Sequence, residues 1–458
     1  MEVRRSRFLG ILAFLVLVLS LFGAAGILRV GPPPEIKITP AIPAIGKRTP
    51  VTVDVAEPKR GLRRIRMELV QDEKTHLLAE RSYVPRSALQ FWGPFTASDT
   101  IKADVGRDTV PGLRTGNAVI RVTADRAPTW LRRPEPAVGE LALPVRLTPP
   151  SLQITSAQTY IAQGGCEAVV YRVGEASVRD GVRSGDWWFP GYPLPGGAKQ
   201  DRFALFAVPY DVANPNVRLV AIDGAGNEAE IACIDRFFPK PFRTDTIDVT
   251  DAFMAKVVPE ILSQSPEIQD RGNMLDNYLA INGELRRKNA EVLKDLAAKS
   301  RPEFLWSGSF SMMPNGKVMS AFADRRTYRY QGRVVDHQDH LGFDLAVIKH
   351  AAVPASNGGV VVLARYFGIY GNSVVIDHGF GLMTLYGHLA SINVKEGQKV
   401  GAGGILGTTG ETGLAGGDHL HFTTILQGLP VNPIEWWDAH WIQDRIARKL
   451  SAAIRFSQ

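Results

Sequence analysis

The sequence predicts a mainly β protein built from several domains, and three observations predict it. Short runs that alternate apolar and polar residues, broken by Pro, Gly and Asp, recur from residue 35 to residue 234, the pattern of half-buried antiparallel strands. Residues 316–433 are again strand-rich, with turns at Gly358-Gly359, Tyr370-Gly371-Asn372, Gly379 and Gly403-Gly404. The chain has 458 residues, 45% of them hydrophobic and 22% charged, which suffices for about three folded cores and excludes a disordered chain.

Taken in order, residues 1–30 form a targeting segment. Arg4, Arg5 and Arg7 precede an uncharged apolar run from Phe8 to Leu28, long enough as a helix to cross a bilayer core of ~30 Å. Basic flanks stay on the cytoplasmic side, so the expectation is a single-pass anchor in the cytoplasmic (inner) membrane with everything after Leu28 on the periplasmic or extracytoplasmic side. A cleaved signal peptide is the rival reading, because Gly23-Ala24-Ala25 offers small residues for processing.

Residues 31–148 predict a β-sandwich module, entered through Pro32-Pro33-Pro34 and carrying Glu35–Ile38, Val51–Val55, Ile65–Leu69 and Ala118–Val122 as strands. Residues 149–240 predict a second module whose closing stretch, Val217–Ile222, Asp223–Asn227 and Glu230–Ile234, resembles the last hairpin of bacterial immunoglobulin-like domains, a likeness of fold that predicts no activity. The only two cysteines, Cys166 and Cys233, lie near the ends of this module. In an oxidising compartment a disulfide between them would contribute roughly 4 kcal/mol on the chain-entropy estimate; the alternative is two buried thiols.

Residues 241–300 predict a short helical linker. Ser265-Pro266-Glu267 reads as N-cap, first helical residue and first-turn acid, and a second amphipathic piece follows Asn282-Gly283 with Glu284 four residues before Lys288. A sharper expectation is that these helices cover the groove of the domain that follows and restrain it. Residues 301–435 form that domain, and residues 436–458 predict a C-terminal amphipathic helix through Ile442, Ile446, Leu450 and Ile454, packed on its own domain or lying on lipid head groups. The net charge of +7 favours anionic partners, but the Arg and Lys residues scatter without aromatic interleaving, so no nucleic-acid partner is expected.

Eight of the nine histidines lie between His337 and His440. The chemistry concentrates in His340-Leu-Gly-Phe-Asp344, Tyr386-Gly-His388-Leu389 and Asp418-His419-Leu-His421-Phe422, and neutral imidazole with an Asp oxygen is the usual donor set for zinc outside Cys-rich sites. In a strand, His419 and His421 point to one face, so one can hold metal while the other handles protons; spacing alone leaves open which does which. Three protein ligands would leave the fourth tetrahedral position for water, as in a catalytic zinc site. Asp336, His337 and Asp339 read as a solvated polar loop, His378 as a turn residue, and the Gly-rich run from Gly401 to Gly417 as turns rather than a phosphate loop, since it lacks the Lys and the strand–loop–helix context.

On these three motifs, in this order, residues 316–433 resemble the LytM/lysostaphin-type zinc metallopeptidases (peptidase family M23), which cut peptide bonds of bacterial peptidoglycan. Tyr370-Gly371-Asn372 with the strand Ser373 to Ile376, and Val394 to Val400, resemble the family as well. The resemblance implies an antiparallel-β peptidase domain, one Zn2+ per chain held by His340, Asp344 and His421, His419 as general base, His388 polarising the scissile carbonyl or steadying the oxyanion, and Asn372 and Tyr370 as substrate-binding residues. It implies peptidoglycan stem or cross-link peptides as substrate. The alternatives are a non-catalytic peptidoglycan-binding activator of another cell-wall hydrolase, or a protease of an exported protein. Three positions depart from the family wording: Asp418, Thr423, and Phe322-Ala323-Asp324-Arg325-Arg326 where Phe-Gly-x-Arg is usual. Neither Asp418 nor Thr423 is a ligand, so the departures bear on substrate fit and the groove edge.

Overall fold

Alternating burial along the first strands builds a two-layered core. Val51, Val53 and Val55 face inward from one sheet, and Ile65, Met67, Leu69, Ile120 and Val122 from the other, while their neighbours face water. The first sheet orders Glu35–Pro40, Thr49–Ala56 and Ser98–Val105; the second orders Lys74–Ser82, Leu62–Gln71, Gly116–Arg126 and Ala137–Val145, all antiparallel. The computed structural model describes residues 2–28, 31–84, 93–128 and 133–450, and the side chains of residues 2–9, 22 and 25–28 lie outside that description. These residues fall into two compact units, 1–150 with 222–228, and 151–221 with 229–458.

The expected membrane span is a helix, Glu2–Leu28, with Ile11, Leu12, Phe14, Leu15 and Leu19 exposed. No helix among the described residues is long and apolar enough to cross a membrane. The arginines of the predicted cytoplasmic flank have their side chains outside the description.

In the second unit, one sheet orders Tyr192–Pro193, Asp201–Ala207, Cys166–Val173 and Leu152–Ile154, and the facing sheet orders Trp187–Pro190, Ser177–Ser184, Val217–Asp223 and Glu228–Ala232. Cys166–Val173 is buried at seven of eight positions rather than at alternate ones. The reason is that both faces of this strand are covered: one core joins Val169, Phe203 and Phe206 to Phe380, Leu426, Trp436, Ile446 and Leu450. The C-terminal segment therefore packs on this sandwich as well as on residues 380–431. Ile442, Ile446 and Leu450 are buried there, and the Lys449 ammonium pairs with the buried Glu167 carboxylate at 2.8 Å; Ile454 lies outside the described residues. Cys166 and Cys233 are free buried thiols, which corrects the disulfide reading; burial raises the Cys166 thiol well above its usual range and Cys233 to about 12, so both are unreactive.

The helical stretch falls within residues 241–300, but its first helix starts ahead of the N-cap read at Ser265. Thr250 caps Asp251–Gln264 through its hydroxyl, and Ser265 closes that helix instead of opening the next. Asn273 caps Met274–Ala280, which runs through a π-helical turn at Ile281–Leu285 into Arg286–Ala298. Asn282-Gly283 lies inside that turn and separates nothing. These helices are part of the core: Leu293 and Ala297 pack on Leu363, Val375, Leu385 and Ile425, and Val257, Ile261 and Tyr278 on Tyr328 and Ile369.

The central sheet of eight strands orders Lys317–Ser320, Phe343–Ala346, Leu420–Leu426, Leu382–Gly387, Asn372–Gly379, Gly359–Tyr366 and Lys399–Val400, with Leu429–Val431 paired to Leu420–Leu426. Its hairpin turns at Phe380-Gly381, both with positive φ (52° and 79°), the geometry of a two-residue primed turn. His378 is one residue short of that turn and is no turn filler. It is buried, its ring bonds the Gly358 carbonyl at 2.6 Å and the Thr384 hydroxyl at 2.8 Å, and burial lowers its pKa to about 4.

Candidate metal centre

Two adjacent strands of the central sheet put the ligand candidates side by side. Asp344 on Phe343–Ala346 pairs in register with His421 on Leu420–Leu426, and His340 ends the strand Arg333–His340 just before the turn at Leu341-Gly342. Asp336, His337 and Asp339 belong to that strand, not to a loop: Asp336 accepts from Asn282, Asp339 from the Tyr210 hydroxyl, and His337 meets Thr327.

The three donor atoms form a small triangle. His340 Nε2 lies 3.0 Å from Asp344 Oδ1 and 3.1 Å from His421 Nδ1, and His421 Nδ1 lies 3.0 Å from the same Oδ1. The outer bonds assign the tautomers. His340 Nδ1–H donates to the Ala321 carbonyl (3.0 Å), so its Nε2 is bare. The Thr423 hydroxyl donates to the Leu341 carbonyl (2.9 Å) and accepts from His421 Nε2–H (2.9 Å), so His421 Nδ1 is bare. With both imidazoles neutral, two nitrogen lone pairs and a carboxylate oxygen converge as one donor set, an arrangement that a cation fits. Around a tetrahedral zinc with donors at ~2.0–2.1 Å, donors stand about 3.3 Å apart, close to the triangle seen here.

The charge states agree with that use. Burial alone would raise the Asp344 carboxyl, but His340, His419 and His421 around it outweigh burial and hold it well below the usual carboxylate range. Burial lowers the pKa of His421 to about 4, leaving it neutral. The Arg326 guanidinium donates to the other carboxylate oxygen, Asp344 Oδ2, at 3.1 Å, fixing which oxygen faces the histidines. Sequence reasoning missed Arg326, which sits in the stretch that departs from the family wording, and it set Thr423 aside although Thr423 decides the His421 tautomer. Gly342 also matters for a reason other than the turn: a Cβ there would sit 2.6 Å from His421 Nε2.

His419 and His388 stand beside the triangle. His419 Nδ1–H donates to the Gly417 carbonyl (2.7 Å), presenting Nε2 at 3.4 Å from Asp344 Oδ1; burial opposes protonation, but the bond and charge of Asp344 leave its pKa raised. His388 Nδ1–H donates to the Thr412 carbonyl (2.8 Å), and burial, with the neighbouring charges of His419 and His421, lowers its pKa well below the usual value. Its Nε2 is thus an acceptor when neutral and can support an oxyanion only when protonated. Their rings lie 4.9 Å apart. All five residues line one cavity of about 400 Å³. Tyr370 lines it too, 5.2 Å from the His421 ring, whereas Asn372 is not among the lining residues, its backbone N–H bonding Thr412.

Residues 338–433 match the model of peptidase family M23. This segment is a peptidase family M23 domain. Over 185 residues the chain is 35% identical to peptidoglycan DD-endopeptidase ShyA of Vibrio cholerae, covering 39% of this chain and 40% of that protein. It is 41% identical over 95 residues to DD-carboxypeptidase/endopeptidase Mpg of Neisseria meningitidis, 21% of this chain and 22% of that one. The chain thus spans less than half the length of these curated relatives. A solved M23 peptidase structure from Pseudomonas aeruginosa, 23% identical, covers 61% of this chain and 95% of its own with a TM-score of 0.38. Within the M23 domain, the family match takes in His340, Asp344, His388, His419 and His421.

Proposed function

We propose that this chain is a zinc-dependent endopeptidase that hydrolyses peptide bonds in peptidoglycan stem or cross-link peptides, anchored by residues 8–28 in the cytoplasmic membrane with the M23 domain on the extracytoplasmic side. The observation that carries the reading is the triangle of bare donors, His340 Nε2, Asp344 Oδ1 and His421 Nδ1, beside two further imidazoles that open on the same cavity. The exposed apolar stretch of the helix Glu2–Leu28 supports the anchor, and the activities for which the relatives are named support the substrate class.

His340, Asp344 and His421 would hold the zinc, which when bound would supply Lewis-acid chemistry for water activation and carbonyl polarisation near neutral pH. His419 Nε2, already oriented by its bond to Gly417, takes the proton of the attacking water and returns it to the leaving amine. His388, held by Thr412 with Nε2 bare in its neutral form, accepts a hydrogen bond from that water and orients it beside the scissile carbonyl. Arg326 keeps Asp344 from swinging away, and the walls from Tyr278, Tyr328 and Tyr370 exclude bulk water.

The test incubates the purified full chain with purified cell walls, with and without chelator, beside His419→Ala. Soluble muropeptides identified by mass, lost in both controls, would bear the reading out and name the bond. Intact walls with a zinc-loaded protein would replace it with a binding module.

A further inference from the structure

The cavity of the M23 domain has a wall that the domain itself does not supply. Phe253, Tyr278 and Arg286 come from the helical stretch before it and line the cavity with His340, Asp344 and His421. That wall is fixed in place by the shared core beneath it and by Asn289, whose side-chain oxygen accepts from the Ile369 N–H at 3.1 Å. It is a built side of the groove rather than a cover that lifts away.

Arg286 is placed there by the π-helical turn at Ile281–Leu285, a kind of irregularity frequent at functional sites. Its backbone N–H bonds the Gly283 carbonyl, so the Asn282 carbonyl is taken by the Arg286 side chain instead: Nε–H donates to Asn282 O at 3.0 Å and Nη2–H to Asn282 Oδ1 at 2.7 Å. Asn282 is fully buried and held in turn by Asp336 at 2.8 Å. Of the five N–H donors of the guanidinium, two are used, and the Nη1/Nη2 edge keeps two parallel donors, the geometry that takes a carboxylate in bidentate fashion. Among the described residues Arg286 forms no ion pair. The other charges on the wall are matched: Arg326 by Asp344, and Asp248 by Arg329 at 3.1 Å. Arg286 lines the same cavity as Tyr370, His388, His419 and His421, and the Tyr370 ring lies 5.2 Å from the His421 ring.

We propose that the Nη1/Nη2 edge of Arg286 binds a free carboxylate of the peptide substrate, making the helical stretch a specificity element of the catalytic groove. This rests on the peptidase reading and deepens it: the preferred substrate is a cell-wall peptide with an ionised carboxylate in the part seated in the cavity, and its amide analogue is a poor one.

The test compares a purified cross-linked muropeptide having free carboxylates with the same muropeptide amidated. Binding is measured by calorimetry to zinc-loaded His419→Ala protein, and to the same protein also carrying Arg286→Gln or Arg286→Lys, with melting temperature and zinc content as checks on folding. The expected result is at least tenfold tighter binding of the acid form, reduced to less than twofold by Arg286→Gln and partly restored by Arg286→Lys. In the active background Arg286→Gln should raise KM for the acid form about tenfold and change kcat little. Equal binding of acid and amide to the Arg286 protein, or a preference that survives Arg286→Gln, overturns the proposal. If the acid preference depends on Arg286 but no variant hydrolyses either peptide, the subsite stands and the peptidase reading falls.

Discussion

Replacing Gly342 by alanine should damage the metal centre without touching a ligand. A Cβ at residue 342 would sit 2.6 Å from His421 Nε2, 2.7 Å from its Cε1 and 2.7 Å from the Phe422 carbonyl oxygen. Ordinary contact begins at 3.4 Å, so something must move by 3.4 − 2.6 = 0.8 Å. The Phe422 oxygen cannot yield easily, because Phe343 and Phe422 are register partners in the sheet, so the His421 ring moves. Metal–donor distances tolerate about ±0.2 Å, and the ring would also leave Thr423. Loss of an outer hydrogen bond alone typically lowers metal affinity about 10–100-fold, so Gly342→Ala should weaken zinc binding by at least that much, with about 1–3 kcal/mol of overpacking cost in the metal-free protein. Competition against a chromophoric zinc chelator measures the first and chemical denaturation the second. Gly401→Ala is the control, since nothing lies within 4 Å of its added Cβ. Zinc affinity in Gly342→Ala equal to that of the control would refute both the placement of His421 and its role as ligand.

Thr423→Val keeps the shape but removes the acceptor that holds His421 Nε2–H; zinc affinity should fall about tenfold, read by the same competition, while Thr423→Ser should retain it. Glu435 is partly buried, accepting from the Cys166 N–H at 2.7 Å, and burial, opposed by that bond and by Lys240 and Arg445 and reinforced by Glu167, raises its pKa to about 8. A raised pKa means stability that is full below pH ~4.5 and lost as pH rises through about 8. Glu435→Gln should therefore be more stable than the parent at pH 9 and similar at pH 5, measured by thermal melts across pH. Leu293→Ala should cost about 2–5 kcal/mol in denaturant unfolding, because Leu293 is buried against Leu363, Val375 and Ile425; a loss below 0.5 kcal/mol would mean the helix is not part of that core.

What the sequence made legible was local. Period-two runs marked several strands of the sandwiches, and spacing paired His340 with Asp344 and His419 with His421, because a strand and a short turn fix relative directions over a few residues; only the family resemblance joined His340, Asp344 and His421 into one set. What it hid was set by packing between distant segments. Ser265-Pro266-Glu267 has the residues of a helix start, yet Thr250 had already started the helix and the chain ends it at Ser265. The spacing of Ile442, Ile446 and Leu450 showed an apolar face but not its partner, the sandwich strand Cys166–Val173 lying some 270 residues earlier. Thr423 and Arg326 looked like departures from the family wording; only their bonds to His421 and Asp344 give them a part in the site. Ala323 stands where glycine is usual and adopts a positive φ of 62° while its N–H bonds the His340 carbonyl, so a strained residue supports the first ligand.

The account turns on one cation bound by three residues, and metal content per chain measures that most directly. Native mass spectrometry after dialysis against buffer with trace zinc should find one zinc in the parent protein and none in Asp344→Ala or His421→Ala, each still folded by circular dichroism. Folded variants that keep a full equivalent of zinc, or a parent that binds none, would contradict it.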